Sequence, residues 1–172
     1  MILSGPKIDE EVNNGNITIF PFCEYLLNPN SYNYRLDKTV LVPQDSIIDP
    51  KEAMKYTTVE IPEEGYILRP DKFYLANTLE IIGSKKYTTT LIGRSSIGRL
   101  GLFLQITADL GHIGTSHKWT LELHCVQPLV IYFNMKIGQV AFWENDGKIK
   151  NLYSGEYGKC SLPTISKIYK IL

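Results

Sequence analysis

The sequence lacks several features that would assign it to a class at once. Lys and Arg total 18 and Asp and Glu total 18, so the formal net charge is zero. The chain therefore has no excess of positive charge of the kind that DNA- and RNA-binding domains carry. No apolar run approaches the ~18–20 residues that a membrane-spanning helix requires. We expect a protein that binds neither a nucleic acid polymer nor a membrane.

Cysteine is scarce. The three cysteines, Cys23, Cys125 and Cys160, are odd in number, far apart and without a C-x-x-C pair. This pattern argues against a disulfide framework and against a zinc site built on cysteine. The first residues, MILSGPKIDEE, lack the basic start and the apolar core of a signal peptide. We expect the protein to be cytoplasmic.

The length and the pattern of apolar residues predict an all-β fold. A chain of 172 residues is long enough for a self-sufficient core, and no repeat or linker divides it, so we expect one domain over residues 1–172. Only the start is helical, because Ser4 can cap a helix, Pro6 fits its first turn and Gly15 can end it. After Gly15, short runs rich in β-branched and aromatic residues alternate with turn signals about every ten residues. This spacing is typical of a sandwich, jelly roll or barrel.

The clearest predicted strand runs from Lys118 to Val126. Its alternation places Trp119, Leu121, Leu123 and Cys125 on one face and Lys118, Thr120, Glu122 and His124 on the other. Glu122 on the polar face has two interpretations. It belongs either to a solvated surface or to a site where it acts as a general acid–base group. The strand pattern leaves both open.

The densest polar segment is Gly93–Gly101, which reads GRSSIGRLG and holds two of the four arginines. Its backbone N–H groups and its guanidinium groups can bind phosphates, although it is not a Walker A loop because no Lys-Ser/Thr follows Gly98. The alternative is a surface turn that carries charge.

Histidines and the C-terminal tail give weaker signals. The spacing of His112, His117 and His124 matches no zinc motif, so we expect no zinc. Tyr153, Tyr157 and Lys159 lie in the tail, at about residues 151–172, which is either a mobile lid or a frayed terminus.

Taken together, the segments resemble the deoxycytidine triphosphate (dCTP) deaminase family, the deaminase branch of the trimeric dUTPase superfamily, which includes bifunctional deaminase–diphosphatases. The resemblance covers nearly the whole chain and rests on an ordered series of motifs. These are Met1–Ser4 with Ile8, the strand Pro29–Leu36, the block from Leu68 to Glu80, GRSSIGRLGL at Gly93–Leu102, Thr107–Ala108, Leu121–Glu122 and the tail from Gly158 to Tyr169.

The resemblance implies a distorted jelly-roll or β-prism subunit with a short N-terminal helix, assembled as a homotrimer with active sites at the subunit interfaces. It implies a zinc-independent deamination of dCTP. Magnesium would bind to the triphosphate of the substrate rather than to a dedicated set of protein ligands.

The resemblance also implies residue roles. Glu122 would activate the water that attacks C4 of cytosine and would pass the proton to the leaving ammonia, while Ser95, Arg99 and the backbone carbonyl of Ala108 would position that water and the base. Binding of the substrate would involve the residues Arg94, Ser95, Ser96, Thr107, His112, Tyr153 and Lys159. Of these, Arg94, Ser95 and Ser96 would hold phosphates bound at a neighbouring subunit.

Three departures from the family pattern stand out. His112 occupies the position of an Asp that is associated with sugar recognition and with diphosphatase chemistry, in a segment where the family reads D-x-G-[aromatic]-x-G. The tail is shortened after Gly158–Lys159, and Asn33 replaces a usual Asp in the early strand.

Three functions are compatible with these residues. A dCTP deaminase that forms dUTP is favoured, because Ser95, Arg99, Ala108 and Glu122 are all present. A dUTP diphosphatase, or a bifunctional enzyme that forms dUMP, is the alternative, and the loss of a carboxylate at position 112 weakens it. The third is a non-catalytic trimeric nucleotide binder, which the altered tail suggests.

Overall fold

The β-branched and aromatic runs form strands throughout the computed structural model, which describes residues 1–45, 47–104 and 107–172. The strands are β1 (Ile17–Phe20), β2 (Leu27–Asn28), β3 (Ser31–Arg35), β4 (Thr39–Pro43), β5 (Tyr56–Glu60), β6 (Tyr66–Leu68), β7 (Tyr74–Ser84), β8 (Thr88–Gly93), β9 (Leu102–Phe103), β10 (Leu110–Gly111), β11 (Ser116–Cys125), β12 (Leu129–Ile131) and β13 (Lys136–Trp143). The helices are α1 (Gly5–Asn13) and α2 (Ser95–Gly98), with short 3-10 turns at Glu24–Leu26, Glu156–Lys159 and Ile168–Lys170. The prediction of an all-β fold with a short N-terminal helix is confirmed.

The strands pair antiparallel in two larger sheets and one small one. The first sheet has the order β5-β4-β7-β11-β9, with β1 also pairing with β7. The second has the order β10-β8-β13-β3-β2, and β12 pairs with β6. The central position of β7 and β11 holds the predicted catalytic strand between two neighbours. A single domain over residues 1–172 stays a prediction.

The N-terminal helix matches the sequence signals in part. Pro6 lies in the first turn of α1, as expected, while the side chain of Ser4 makes no capping hydrogen bond. Gly15 follows the helix at φ +73°, a left-handed conformation that favours glycine. Ile8 is completely buried and so anchors the helix on the sheets. No helix in the described residues is long and apolar enough to cross a membrane.

The core draws side chains from both larger sheets. Its largest fully buried members are aromatic, namely Tyr32, Tyr34, Tyr74 and Phe142. The hydroxyl groups of the first two find partners, as those of buried tyrosines usually do. The hydroxyl of Tyr34 donates to the carbonyl of Ile92 at 3.2 Å, and that of Tyr32 accepts from the backbone N–H of Cys23 at 3.1 Å.

The two faces of β11 separate nearly as predicted. Leu121, Leu123 and Cys125 are completely buried in the core, and Glu122 on the opposite face is half-buried. Trp119 is the exception to the alternation. The pairing of β11 with β7 shifts register between Lys118 and Thr120, so Trp119 packs against the edge of the core and its indole N–H donates to the carbonyl of Ile82 at 3.0 Å.

Candidate active site

A cavity of about 400 Å³ lies against the polar face of β11. Its walls come from β5, β7, β11, the segment around β10 and the C-terminal tail. Apolar and aromatic side chains dominate the lining, among them Tyr56, Phe73, Leu75, Leu110 and Trp119. A cavity of this kind suits a small molecule held by a few polar groups.

Glu122 lies in the wall of this cavity. It pairs across the sheet with Leu75 of β7, and both residues line the cavity. Because its neighbours Leu121 and Leu123 are completely buried, the core fixes the strand backbone that carries Glu122. Among the described lining residues Glu122 is the only Asp or Glu. This geometry favours the general acid–base interpretation over a solvated surface.

Ala108 lines the same cavity as Glu122. It precedes β10, which pairs with β8 through Leu110 and Thr90, so the edge of the second sheet presents this segment to the polar face of β11. The structure therefore brings together two of the four predicted catalytic residues.

The other two, Ser95 and Arg99, do not line the cavity, and neither do Arg94 and Ser96. All four belong to α2 or flank it, where the chain packs beside β9 at the far end of β11. Arg94 donates through Nη1 to the carbonyl of Lys136 at 3.5 Å. Thr107 and Lys159 are exposed and also stand outside the lining. Within one chain, the predicted phosphate-binding segment is thus separate from the cavity.

The three histidines differ in their position relative to the cavity. His112 and His117 line the cavity, whereas His124 is exposed and pairs with Phe103 outside it. His117 is buried, and this burial lowers the pKa of its imidazole below the ordinary value. Its Nδ1 lies 2.9 Å from the carbonyl oxygen of Lys118, so Nδ1 carries the proton. No group of three His, Cys, Asp or Glu side chains suited to a metal ion occurs within the described part of the chain, and the absence of zinc stays a prediction.

The C-terminal tail forms one wall of the cavity. The backbone N–H of Tyr153 donates to the carbonyl of Ile113 at 2.9 Å, and the ring of Tyr153 stacks on that of His112 with centroids 5.3 Å apart. Further along, the backbone N–H of Thr164 donates to Oγ1 of Thr120 at 3.1 Å. These contacts favour the lid over the frayed terminus.

Several lining residues are not among those predicted from the sequence. Trp119 was expected to face the core with Leu121, and the register shift in β11 explains why it also reaches the cavity. Met54, Tyr56 and Phe73 line the cavity from segments distant in sequence, which no local motif marks. Thr120 also lines it, and its place two residues before Glu122 on the same face was the available signal.

The fold and the cavity together define a class of protein: an all-β protein in which a carboxylate on a central strand lines a small-molecule pocket. The chain belongs to the dCTP deaminase-like family, because the model of that family matches residues 2–145. The family membership predicted from the sequence is confirmed.

Curated relatives agree with this assignment over most of both chains. The protein named "dCTP deaminase, dUMP-forming" from Hathewaya histolytica is 46% identical over 157 residues, which cover 91% of this chain and 91% of the relative. Proteins of the same name from Clostridium beijerinckii and Cytophaga hutchinsonii are 45% and 43% identical, with 91% of this chain and 90% of each relative covered.

A solved structure shows the same fold. The crystal structure of 2'-deoxycytidine 5'-triphosphate deaminase from Agrobacterium tumefaciens superposes with a TM-score of 0.67 at 17% identity. The match covers 84% of this chain and 48% of that one, so this chain spans about half the length of the solved protein. The predicted all-β fold class with a short helix is confirmed by this match.

Proposed function

We propose that this chain is an enzyme that converts dCTP to dUMP by releasing first ammonia and then pyrophosphate. The relatives that share 43–46% of its residues carry the words "dUMP-forming" in their names. These names support the bifunctional alternative better than the function favoured from the sequence, in which dUTP is the final product.

The observation that carries the proposal is the placement of Glu122 in the apolar cavity. In the deamination, the oxygen of a water molecule attacks C4 of cytosine while the carboxylate of Glu122 takes a proton from that water. The resulting tetrahedral intermediate then loses ammonia, which leaves with the proton that Glu122 returns. Leu75 and Trp119 in the lining keep bulk water away from this exchange and strengthen its electrostatics.

The phosphates of the substrate need cations that the cavity does not supply. Its described lining contains no Lys or Arg, although a triphosphate carries several negative charges. We propose that Arg94, Ser95, Ser96 and Arg99 of a second copy meet the phosphates and the reacting water in a homotrimer. Exposed apolar side chains near α2, including Leu100, Phe103 and Val126, form a surface that such a copy would cover.

Magnesium enters this proposal as part of the substrate. A magnesium ion bound to the triphosphate reduces its charge without a protein cage. Removing magnesium should therefore weaken dCTP binding, and a zinc-selective chelator should leave the activity intact. We also place the reaction in the cytoplasm, where the three free thiols of Cys23, Cys125 and Cys160 would remain reduced.

The central experiment incubates purified protein with dCTP and magnesium and assays ammonia and pyrophosphate in parallel. Release of both supports the proposal. Ammonia alone would indicate a deaminase that stops at dUTP, and pyrophosphate from dUTP without ammonia from dCTP would indicate a plain diphosphatase. Neither product would indicate a nucleotide binder.

A second experiment tests the shared site. Arg94→Ala and Glu122→Gln proteins, each inactive alone, are refolded together. In randomly mixed trimers about a quarter of the sites combine an intact Glu122 with an intact Arg94 from the neighbour, so about that share of wild-type activity should return. A mixture as inactive as its parents, or a monomer in solution, would contradict the shared site.

A further inference from the structure

The proposed function requires two hydrolyses at two different atoms of the nucleotide. One water attacks C4 of the base, and another attacks the α-phosphorus. Glu122 serves the first and is the only carboxylate in the described lining. Apart from Glu122, that lining contains two side chains of the type that commonly acts as a general base, the imidazoles of His112 and His117.

His112 is held at the rim of the cavity by a tight turn. Its carbonyl accepts hydrogen bonds from Oγ1 of Thr115 at 2.8 Å and from the backbone N–H of Thr115 at 3.4 Å. Gly114 within this turn has φ +98°. The backbone of His112 is therefore fixed, while its side chain is exposed.

The ring of His112 has its nitrogen atoms available. It stacks on Tyr153 with an angle of 18° between the ring planes, and a stacked ring directs its nitrogens sideways, away from its partner. Among residues 1–45, 47–104 and 107–172, neither ring nitrogen has a hydrogen-bond partner. A second depression of about 380 Å³ shares Leu110, His112 and Tyr153 with the cavity. Water therefore reaches His112 at the boundary between the two.

His117 is placed differently. It is buried, its Nδ1 is committed to the carbonyl of Lys118, and its ring stacks on Trp119 at 4.6 Å. The phosphates, which must meet cations from outside the cavity, are expected at the exposed rim rather than at this wall. Exposure to water distinguishes His112 from His117.

We infer that His112 is the general base of the pyrophosphate-releasing step, an inference that rests on the proposed function. An imidazole nitrogen of His112 takes a proton from the water whose oxygen forms a bond to the α-phosphorus of dUTP. The bond from the α-phosphorus to the α,β-bridging oxygen breaks, and pyrophosphate leaves with that electron pair. The imidazolium then returns its proton to solvent. An imidazole thus performs the proton transfer for which the sequence offers no carboxylate at position 112.

The test uses His112→Gln with two substrates. Gln keeps a polar side chain of similar reach but cannot take the proton, so pyrophosphate release from dUTP should fall about a hundredfold. At saturating dCTP, kcat for ammonia release should stay within about threefold of wild type, because the proton transfer at C4 depends on Glu122, whereas KM for dCTP can rise because His112 lines the cavity. Under these conditions dUTP should accumulate. His112→Asp, which restores a base, should recover pyrophosphate release. His124→Gln, a change at an exposed histidine outside the cavity, should leave both rates unchanged.

Two outcomes would overturn the inference. If His112→Gln keeps more than about a third of the wild-type rate of pyrophosphate release, or loses both reactions together with its melting transition, His112 is not the base. If the wild-type protein releases ammonia but no pyrophosphate, the second half of the proposed function fails and His112 has no step to serve. Measuring wild type with dUTP first separates these two failures.

Discussion

Two glutamates on neighbouring strands of one sheet differ in their burial and in the groups that surround them. Glu80 on β7 is completely buried, and its two carboxylate oxygens accept from the backbone N–H and from Nε of Arg35 at 2.8 and 2.6 Å. Glu122 on β11 is half-buried and faces a cavity whose described lining contains no Lys or Arg. Glu80 joins the two larger sheets, since Arg35 belongs to β3 of the second.

The comparison shows that the surroundings of a carboxylate in the fold, rather than its residue type, decide whether it stabilises the structure or takes part in chemistry. The Arg35–Glu80 pair is closed, with Arg35 also donating through Nη1 to Oδ1 of Asn134 at 3.1 Å. Removing one partner of such a buried pair strongly lowers the free energy of unfolding. Glu122 is anchored by its buried neighbours but presents its side chain to a space large enough for a nucleoside. We expect loss of Glu80 to impair folding and loss of Glu122 to impair chemistry.

The largest expected effect on turnover belongs to Glu122→Gln. Gln has nearly the same shape but cannot exchange a proton, so kcat for ammonia release should fall at least about a hundredfold, which is about 3 kcal/mol of barrier. The dissociation constant for dCTP, measured by calorimetry, and the melting temperature should change little. His124→Gln on the same strand serves as the control. Retention of more than about a tenth of the turnover would contradict proton transfer by Glu122.

The matching change at Glu80 should act on stability. In Glu80→Gln the buried guanidinium of Arg35 loses its counter-charge, so the free energy of unfolding in urea should fall by about 3–5 kcal/mol. The folded fraction should keep its turnover. Glu60→Gln is the control, because Glu60 pairs with Lys38 at 3.0 Å on the surface, where an ion pair contributes at most about 1 kcal/mol. If Glu80→Gln instead lost turnover while keeping its stability, the comparison between the two glutamates would be wrong.

Local patterns were enough to predict part of this arrangement. Strict alternation in β11 placed Glu122 opposite the core, because Leu121 and Leu123 have to be buried for the sheets to pack. The alternation was incomplete for Trp119, which packs against the core and also lines the cavity, since the pattern assumes a constant register and β7 and β11 shift register beside it. A register shift depends on both strands, so neither sequence segment alone reveals it.

The relative positions of segments that are distant in sequence could not be predicted from the sequence. The Gly93–Gly101 segment was recognised as polar and Arg-rich, yet its separation from the cavity follows from the path of β8, α2 and β9 in the folded chain. The hydrogen bond between Thr164 and Thr120 likewise joins segments 44 residues apart. Such contacts are set by tertiary packing rather than by local preference.

A smaller effect should follow from Thr120→Val. In the strand pattern Thr120 is only a polar neighbour of Glu122, but in the structure its hydroxyl accepts the hydrogen bond that docks the tail. Val keeps the shape and removes the acceptor, so about 1 kcal/mol of tail docking should be lost. KM for dCTP should rise about fivefold with kcat nearly unchanged, and Thr120→Ser should restore KM. A fall in kcat as large as that of Glu122→Gln would mean that Thr120 acts in the chemistry.

A third carboxylate sharpens the comparison from the side of stability. Glu11 on α1 is buried like Glu80 but is held by flexible cations, with Lys7 at 3.0 Å and Lys86 at 3.3 Å, and by Asn16 at 2.7 Å. The hydrogen bond from Lys7, ahead of those from Asn16 and Lys86, lowers the pKa of Glu11 from 4.5 to about 2. The folded state therefore binds fewer protons than the unfolded state between about pH 2 and pH 4.5. The contribution of Glu11 to stability is complete above about pH 4.5 and is lost as the pH falls towards 2.

Glu11→Gln should lower the free energy of urea unfolding at neutral pH, and its difference from wild type should shrink steadily below pH 4.5. Glu63→Gln, at an exposed turn position, should show no such trend. A difference between Glu11→Gln and wild type that stays constant down to about pH 3 would show that the charge of the Glu11 carboxylate does not contribute to stability.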